Sequence, residues 1–289
     1  MGIRAFTGKQ QAAPSSGVER SASENLKGVR HKLIVMSGKG GVGKSTIAVN
    51  LAFSLARKGK NVGILDADMH GPSVPKMLGL SNLPLGVNDN GRIEPMTVAP
   101  SLKVISMAFL LRNPDSPVIW RGPAKMGAIK QFLEEVEWGP LDYLIVDLPP
   151  GTGDEPLSIA QLVPDPDGAI VVTTPQDVAL LSVRKSINFA KAVGLTPLGL
   201  IENMSGMKCP HCGKSIELFG DGGVKEAAED LDIPLLGSLP FSRDIAASGD
   251  EGVPFITAEG DEVAITFDAI ADEITATVEK RRSGKARTS

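Results

Sequence analysis

The stretch that decides the fold is Ser37-Gly38-Lys39-Gly40-Gly41-Val42-Gly43-Lys44-Ser45-Thr46. An apolar run at 33–36 precedes it, and an apolar pattern with helical spacing begins at residue 47. A strand, a loop with the spacing G-x-x-x-x-G-K-S/T and a helix together form a phosphate-binding loop. Glycines allow backbone N–H groups to surround phosphate oxygens, and the helix N-terminus favours anions. The stretch therefore predicts a nucleotide site at residues 38–46.

Two side chains of this loop have predicted chemical roles. We expect Lys44 to bridge the β- and γ-phosphates of ATP, because the loop lysine does so in nucleotide-binding P-loops. We expect the Ser45 hydroxyl to be a ligand of Mg²⁺. The sequence therefore predicts ATP and Mg²⁺ as cofactors and ATP hydrolysis as the activity.

Acidic residues follow two short apolar runs. Asp66 and Asp68 follow residues 62–65, and Asp147 follows residues 143–146. In an open α/β sheet the carboxyl ends of the strands lie on the side of the phosphate-binding loop. We expect Asp147 to support Mg²⁺ through water, Asp66 to lie in the magnesium shell and Asp68 to orient the attacking water. Alternatively, Asp66 and Asp68 cap the turn at residues 70–72.

The segment after Asp147 is Leu148-Pro149-Pro150-Gly151-Thr152-Gly153. Prolines fix φ, whereas glycines allow the backbone to change direction. We predict that this segment is a switch loop that responds to the γ-phosphate.

Strand and helix patterns alternate along the rest of the chain, which predicts an α/β fold with a doubly wound, mostly parallel sheet. We expect a disordered lead-in at residues 1–30, one P-loop ATPase domain at residues 31–279 and a solvated basic tail at residues 280–289. Asn203 ends a predicted strand, so it is a candidate for reading the nucleotide base, and residues 239–241 are candidates to flank that base.

Composition and charge exclude several classes of protein. The formal net charge is −4, which does not indicate a nucleic-acid surface. No apolar run approaches the roughly 18–20 residues that a membrane span requires. The first thirty residues lack the apolar core of a signal peptide. We therefore expect a cytoplasmic protein that binds neither nucleic acid nor membrane.

The two cysteines, Cys209 and Cys212, form one C-x-x-C motif in an insertion near residues 204–214. This spacing lets two thiolates face one metal ion or cluster. A redox pair of the thioredoxin kind is disfavoured, because that motif lies beside the first strand and helix of its fold. A Cys₄ site needs four thiolates, so either two chains share it or His211 and other groups complete it. The spacing is compatible with a 4Fe–4S cluster and with Zn²⁺.

The motifs taken together resemble a known family. The pattern K-G-G-x-G-K-S-T at 39–46 resembles the deviant P-loop of the MinD, ParA and nitrogenase iron protein class. With it, five further stretches resemble the Mrp/ApbC-type iron–sulfur cluster carriers: Asp66-Ala67-Asp68 with 70–73, Trp120-Arg121-Gly122-Pro123, 147–154, Glu202-Asn203-Met204 and Cys209-Pro210-His211-Cys212. The resemblance spans roughly residues 30–275.

This resemblance implies a homodimeric ATPase. It implies that Lys39 acts across the dimer interface on the partner's nucleotide, together with Lys44 and Asp68 as catalytic residues, and that Asn203 contacts adenine. It also implies a 4Fe–4S cluster that Cys209 and Cys212 of both subunits hold, and that the dimer receives from a donor and transfers to apo iron–sulfur proteins. For Arg121 it suggests only a phosphate or partner contact.

The sequence departs from the family in two ways, because it contains neither the small N-terminal domain of many bacterial members nor the four-cysteine motif of eukaryotic cytosolic members. We therefore expect only the bridging cluster.

Two other functions compete with the carrier. One is a zinc-bridged dimeric metallochaperone ATPase, which differs in the bound metal. The other is a positioning ATPase of the MinD/ParA type, which needs a membrane-binding tail or a DNA-binding surface. The last predicted helix, Asp261–Glu279, is acidic overall and would be repelled by anionic lipid and DNA.

Overall fold

Eight strands form one sheet in a computed structural model that describes residues 21–69, 71–80, 83–110, 122–209, 211–218, 223–258 and 260–288. The sheet strands are β1 (Val29–Met36), β2 (Val62–Asp66), β5 (Met96–Ala99), β6 (Leu102–Ser106), β7 (Leu141–Asp147), β8 (Gly168–Thr173), β9 (Pro197–Asn203) and β12 (Leu235–Leu239). Two small hairpins are β3 (Gly86–Val87) with β4 (Ile93–Glu94), and β10 (Met207–Lys208) with β11 (Ser215–Ile216).

Helices connect these strands. They are α1 (Ala22–Asn25), α2 (Lys44–Arg57), α3 (Val74–Met77), α4 (Gly122–Glu135), α5 (Asp154–Leu162), α6 (Asp177–Ala192), α7 (Val224–Asp230), α8 (Arg243–Glu251) and α9 (Glu262–Thr288).

The strand order is β12-β9-β8-β1-β7-β2-β6-β5. All neighbouring strands pair in parallel except β5, which runs antiparallel to β6 at the edge. The first strand lies between β8 and β7, so the loop that follows it opens at the middle of the sheet. Ligands of open α/β sheets bind at such a position, beyond the carboxyl ends of the strands.

Apolar layers cover both faces of the sheet. One buries Phe132 of α4 and Ile187 of α6, and the other buries Leu51 of α2 and Phe267 of α9. Because the central parallel strands are buried on both faces, β2 and β8 are almost continuously apolar. In β1 and β7 the apolar runs begin at Leu33 and Tyr143. The prediction of a doubly wound, mostly parallel sheet is confirmed.

The expected boundary at residue 31 is wrong. Helix α1 and the start of β1 lie before that residue, and Leu26 and Val29 are buried in the core. The Asn25 amide donates 2.9 Å hydrogen bonds to the carbonyl oxygens of Leu133 and Val136. These contacts hold residues 21–30 against the domain, whereas residues 1–20 lie outside the described residues.

The expected end of the last helix at Glu279 is also wrong. Helix α9 continues to Thr288, and the Arg282 guanidinium donates a hydrogen bond to the carbonyl oxygen of Arg30. Lysine, arginine and alanine favour helix, so the basic segment extends the helix that precedes it. Trp120 and Arg121, like His70, lie outside the described residues.

Candidate functional site: a phosphate-binding loop beside a cysteine hairpin

The phosphate-binding loop joins β1 to α2. Gly43 has φ +86° and precedes the first helical residue, Lys44. Because that φ lies in the left-handed region, glycine suits the position. Gly38 is required for a different reason: a Cβ there would lie 2.5 Å from the carbonyl oxygen of Ser182 on α6. Helix α6 therefore packs directly against the start of the loop.

The ammonium of Lys44 and the hydroxyl of Ser45 both contact Asp147 at the end of β7. Lys44 Nζ lies 2.6 Å from Asp147 Oδ1, and Ser45 Oγ donates to Asp147 Oδ2 at 2.5 Å. Lys44 and Asp147 are buried, with 6% and 0% of the side chain exposed. Lys44 and Asp147 therefore compensate each other's charge here, and Ser45 satisfies the second carboxylate oxygen. A Mg²⁺–nucleotide complex would have to exchange these contacts for its own, and the hydroxyl and carboxylate oxygens fit Mg²⁺.

Asp66 and Asp68 lie at the end of β2, beside Asp147. Asp66 is paired with Asp147 in the parallel register, and its two oxygens accept from the Asp68 N–H at 3.1 Å and from Ser106 Oγ at 2.8 Å. Asp68 Oδ1 accepts from the Gly71 N–H at 3.1 Å. The structure brings Asp66, Asp68 and Asp147 together at one edge of the sheet, and Asp68 also caps the following turn.

Burial changes the charge of this acidic group. Burial and then the charge of Asp147 raise the pKa of Asp66 to about 8, although Ser106 and Lys44 oppose the change. Burial also raises the pKa of Asp147, opposed mainly by Lys44. Near neutral pH Asp66 therefore carries a proton, because a second carboxylate charge in this buried place lacks a second cation.

Lys39 contacts its own chain. Its Nζ donates to Gln176 Oε1 at 2.7 Å, in the segment between β8 and α6.

The carbonyl oxygen of Ser37 accepts from the Gly151 N–H at 2.8 Å. The predicted switch loop is therefore in contact with the phosphate-binding loop in this structure.

Asn203, at the end of β9, also contacts the phosphate-binding loop. Its amide donates to the Val42 carbonyl oxygen at 2.9 Å, and a Cβ at Gly43 would lie 2.1 Å from its Nδ2. A cavity of about 320 Å³ opens beside it, lined in part by Thr46, Pro240 and Phe241. The sequence-predicted base residues therefore surround one cavity next to residues 43–46.

The cysteines lie on the β10–β11 hairpin. The Cys209 N–H donates to the Lys214 carbonyl oxygen at 2.8 Å, and the Gly213 N–H donates to the Cys209 carbonyl oxygen at 2.9 Å, which closes a tight loop. Cys209 is half-buried and Cys212 is exposed. The backbone N–H groups of His211 and Cys212 lower the pKa of the Cys209 thiol, with a further contribution from the Cys212 side chain. A thiol that readily becomes a thiolate fits a metal or cluster ligand.

The hairpin carries two thiols and the imidazole of His211. Within the described ranges, no group of three or more His, Cys, Asp or Glu side chains is arranged to hold a metal ion. The possibility that His211 and other groups of the same chain complete the site therefore finds no support in the described residues.

Sequence reasoning missed several residues that hold the site together. Ser106 binds Asp66, Gln176 binds Lys39, and Ser182 lies against Gly38. Ser106 and Gln176 both follow or end a parallel strand, and that position was the signal that could have indicated them. Ser182 lies inside a helix and carries no such signal.

None of the helices in the described part of the chain has the length and apolarity needed to cross a bilayer.

Known proteins resemble this chain over most of its length. Residues 28–275 match the ParA family described as "NUBPL iron-transfer P-loop NTPase". An iron-sulfur cluster carrier protein of Methanocaldococcus jannaschii is 50% identical over 233 residues, which are 81% of this chain and 80% of that protein. The mouse cytosolic Fe-S cluster assembly factor NUBP2 is 48% identical over 242 residues, which are 82% of this chain and 88% of that protein.

Solved structures show the same fold. A nucleotide-binding protein from Archaeoglobus fulgidus, in complex with ADP and with cobalt found in it, has a TM-score of 0.72 and 39% identity over 83% of this chain and 93% of that chain. The cell division protein MinD of Aquifex aeolicus has a TM-score of 0.60 and 20% identity over 85% of this chain and 97% of that chain. The MinD likeness concerns the fold alone. The family match and the sequence identities, together with the phosphate-binding loop, show that this chain belongs to the NUBPL-type iron-transfer P-loop NTPase family of iron–sulfur cluster carriers.

Proposed function

We propose that this protein is an ATPase that holds a 4Fe–4S cluster between two identical subunits and transfers it to apo iron–sulfur proteins. The observation that carries the proposal is the contact between Asn203 and the phosphate-binding loop, six residues before Cys209. A nucleotide site and a thiol pair are thus joined by one short segment. The names of the relatives support an iron–sulfur cargo.

On the nucleotide side, Lys44 would bind the β- and γ-phosphates while Ser45 and Asp147 hold Mg²⁺. Asp66 would support the magnesium shell and Asp68 would orient the attacking water. Residues 38–46 would surround the phosphates, and Asn203 would face the base from its place beside the 320 Å³ cavity.

Lys39 would leave Gln176 and reach the partner's nucleotide when the dimer closes. Within the described part of the chain its half-buried ammonium contacts the neutral Gln176 amide oxygen at 2.7 Å, and a phosphate would bind it more strongly than an amide oxygen does.

On the cluster side, Cys209 and Cys212 of each subunit would supply four thiolates. The described part of one chain offers no group of three metal ligands, which favours a site shared across a two-fold axis. The lowered pKa of Cys209 favours the thiolate form that the cluster requires.

The segment between Asn203 and Cys209 would transmit the nucleotide state to the thiols. Met204 has φ +61°, and the Ser205 N–H and hydroxyl both donate to the Leu239 carbonyl oxygen, at 2.9 and 3.0 Å. The Phe241 N–H donates to the Gly206 carbonyl oxygen at 2.6 Å. Because Phe241 also lines the cavity beside Asn203, occupation of that cavity and movement of the hairpin would share the same hydrogen bonds.

We place this activity in the cytoplasm, which the name of the mouse relative supports. The partners would be a cluster donor and apo-protein clients.

The test is the iron and sulfide content of protein purified without oxygen, together with its native mass. Four irons and four sulfides per dimer are expected for the wild type, and none for Cys209→Ala, with nucleotide binding retained. Ser215→Ala, an exposed change in the same hairpin, is the control and should keep the cluster.

Stoichiometric iron in Cys209→Ala would contradict the bridging assignment. One zinc per dimer without sulfide, persisting after cluster reconstitution, would instead support the zinc-bridged ATPase.

A further inference from the structure

A second cavity lies at the amino ends of the strands, away from the nucleotide site. It has a volume of about 530 Å³, and its walls come from the segment before β1, from β1 itself, from the loop before β8 and from the end of α9. On β1 the cavity reaches Lys32, and the five residues from there to Ser37 of the phosphate-binding loop span roughly 17 Å. The two cavities therefore cannot share one ligand.

Five basic side chains line this cavity: Lys27, Arg30, Lys32, Arg281 and Arg282. In the part of the chain that the structure describes, no carboxylate forms an ion pair within 4 Å with any of them. Two carboxylates, Asp165 and Asp167, also line the cavity. The surplus of charge in the cavity is therefore positive, although the whole chain has a formal net charge of −4.

Asp167 is already committed to other groups. Its Oδ2 accepts from the Lys32 N–H at 2.8 Å, and its Oδ1 lies 3.3 Å from Nδ1 of the buried His31. Burial lowers the pKa of the Lys32 ammonium, which Asp167 and Asp165 oppose and Arg282 reinforces. The two carboxylates compensate only part of the repulsion among the five cations, and an anion bound in the cavity would compensate the rest.

The fold fixes where part of this basic cluster lies. The Arg282 guanidinium donates to the carbonyl oxygen of Arg30, which fixes the end of α9 against the start of β1. Arg30 and Lys32, two residues apart on one strand, project to the same face. A cluster positioned in this way needs less rearrangement to bind a ligand than flexible lysines on an open surface do.

Residues 1–20 and 283–289 do not carry the negative charge that would complement the cavity. Residues 1–20 contain three basic residues and one acidic residue, and residues 283–289 contain two basic residues and no acidic one. The cavity volume falls within the range of about 300–1,000 Å³ that is typical of small-molecule sites. Guanidinium groups bind carboxylate and phosphate oxygens in pairs. We propose that this cavity is a second binding site, for a small anion that carries two or more carboxylate or phosphate groups.

The test is isothermal titration calorimetry on the full chain saturated with MgADP, so that the phosphate-binding loop is blocked. The probes are tricarballylate, with three carboxylates, and fructose 1,6-bisphosphate, with two phosphates, and they distinguish the two sources of charge. Saturable one-site binding of at least one probe is expected, and it should weaken with salt. Arg30→Gln/Arg281→Gln, two exposed positions, should weaken it about tenfold.

Lys185→Gln/Lys225→Gln is the matched control, because it removes the same charge from exposed positions outside the cavity. It should change the affinity by less than about twofold. Equal weakening in both double variants, or no saturable binding of either probe to the wild type, would overturn the proposal. Tight binding of hexaglutamate without saturable binding of the small anions would replace the small ligand with an acidic protein segment.

Discussion

The phosphate-binding loop and the cysteine hairpin differ in how firmly the fold holds them. Lys44, Asp66 and Asp147 are buried and connected to one another and to three parallel strands. Cys209 and Cys212 lie on a hairpin whose two strands have two residues each. Cys209 is half-buried and Cys212 is exposed. The predicted nucleotide residues are thus built into the core, whereas the thiols lie on a small hairpin at the surface.

The largest expected effect concerns the buried side of this comparison. Lys44→Ala should lower the rate of ATP hydrolysis by about 100-fold or more, because it removes the cation that stabilises charge on the transferred phosphate. Steady-state phosphate release measures it, with Lys130→Ala on the exposed face of α4 as the control. The cluster content of Lys44→Ala should equal that of the wild type, and hydrolysis near the wild-type rate would exclude Lys44 from catalysis.

A pair of glycine variants isolates the contact that joins the two regions. Gly41 and Gly43 both have positive φ, but a Cβ at Gly41 meets no atom within 4 Å, whereas one at Gly43 meets the Asn203 amide. Gly43→Ala should therefore lower the free energy of unfolding by about 2 kcal/mol more than Gly41→Ala. Urea unfolding measures both.

Adding Asn203→Ala to Gly43→Ala should recover most of the extra loss of stability, because it removes the amide that the new methyl group meets. Equal costs for the two alanines would show that backbone strain alone, and not Asn203, constrains the loop.

The buried acid Asp66 predicts a dependence on pH. Its pKa in the folded state is about 8, above that of an ordinary carboxyl. Between about pH 4 and pH 8 the folded state therefore keeps a proton on Asp66, whereas the unfolded state has released it. Stability of the nucleotide-free wild type should therefore fall as pH rises through this range. Asp66→Asn, which mimics the protonated acid, should raise the melting temperature by about 3 °C at pH 8.5 and less at pH 6.

Calorimetry on both proteins at the two pH values measures this prediction. An increase of the same size at pH 6 and pH 8.5 would mean that the asparagine acts through packing and not through charge.

The smallest expected effect belongs to the exposed side of the comparison. Cys209→Ala/Cys212→Ala should change the melting temperature of the metal-free chain by less than about 1 °C, because neither side chain is part of the buried core. Differential scanning calorimetry in the presence of a chelator measures it. A fall of several degrees would show that the hairpin is part of the folded core.

Most of the fold was predictable, because buried parallel strands leave apolar runs and their ends leave acidic residues in the sequence. The runs that end at Met36, Asp66 and Asp147 correctly predicted three neighbouring parallel strands. The boundaries at residues 30 and 279 were not predictable from composition, because Leu26 and Arg282 are held by residues far along the chain.

The sequence by itself determined the phosphate-binding loop, the acidic strand ends and the C-x-x-C motif of Cys209 and Cys212, since each of these depends on local spacing. Only the tertiary structure decided that Asp66 shares a buried site with Asp147, that Asn203 touches the phosphate-binding loop and that Arg30 meets the end of α9. These contacts join residues more than 80 positions apart, and no local pattern encodes which distant elements pack together.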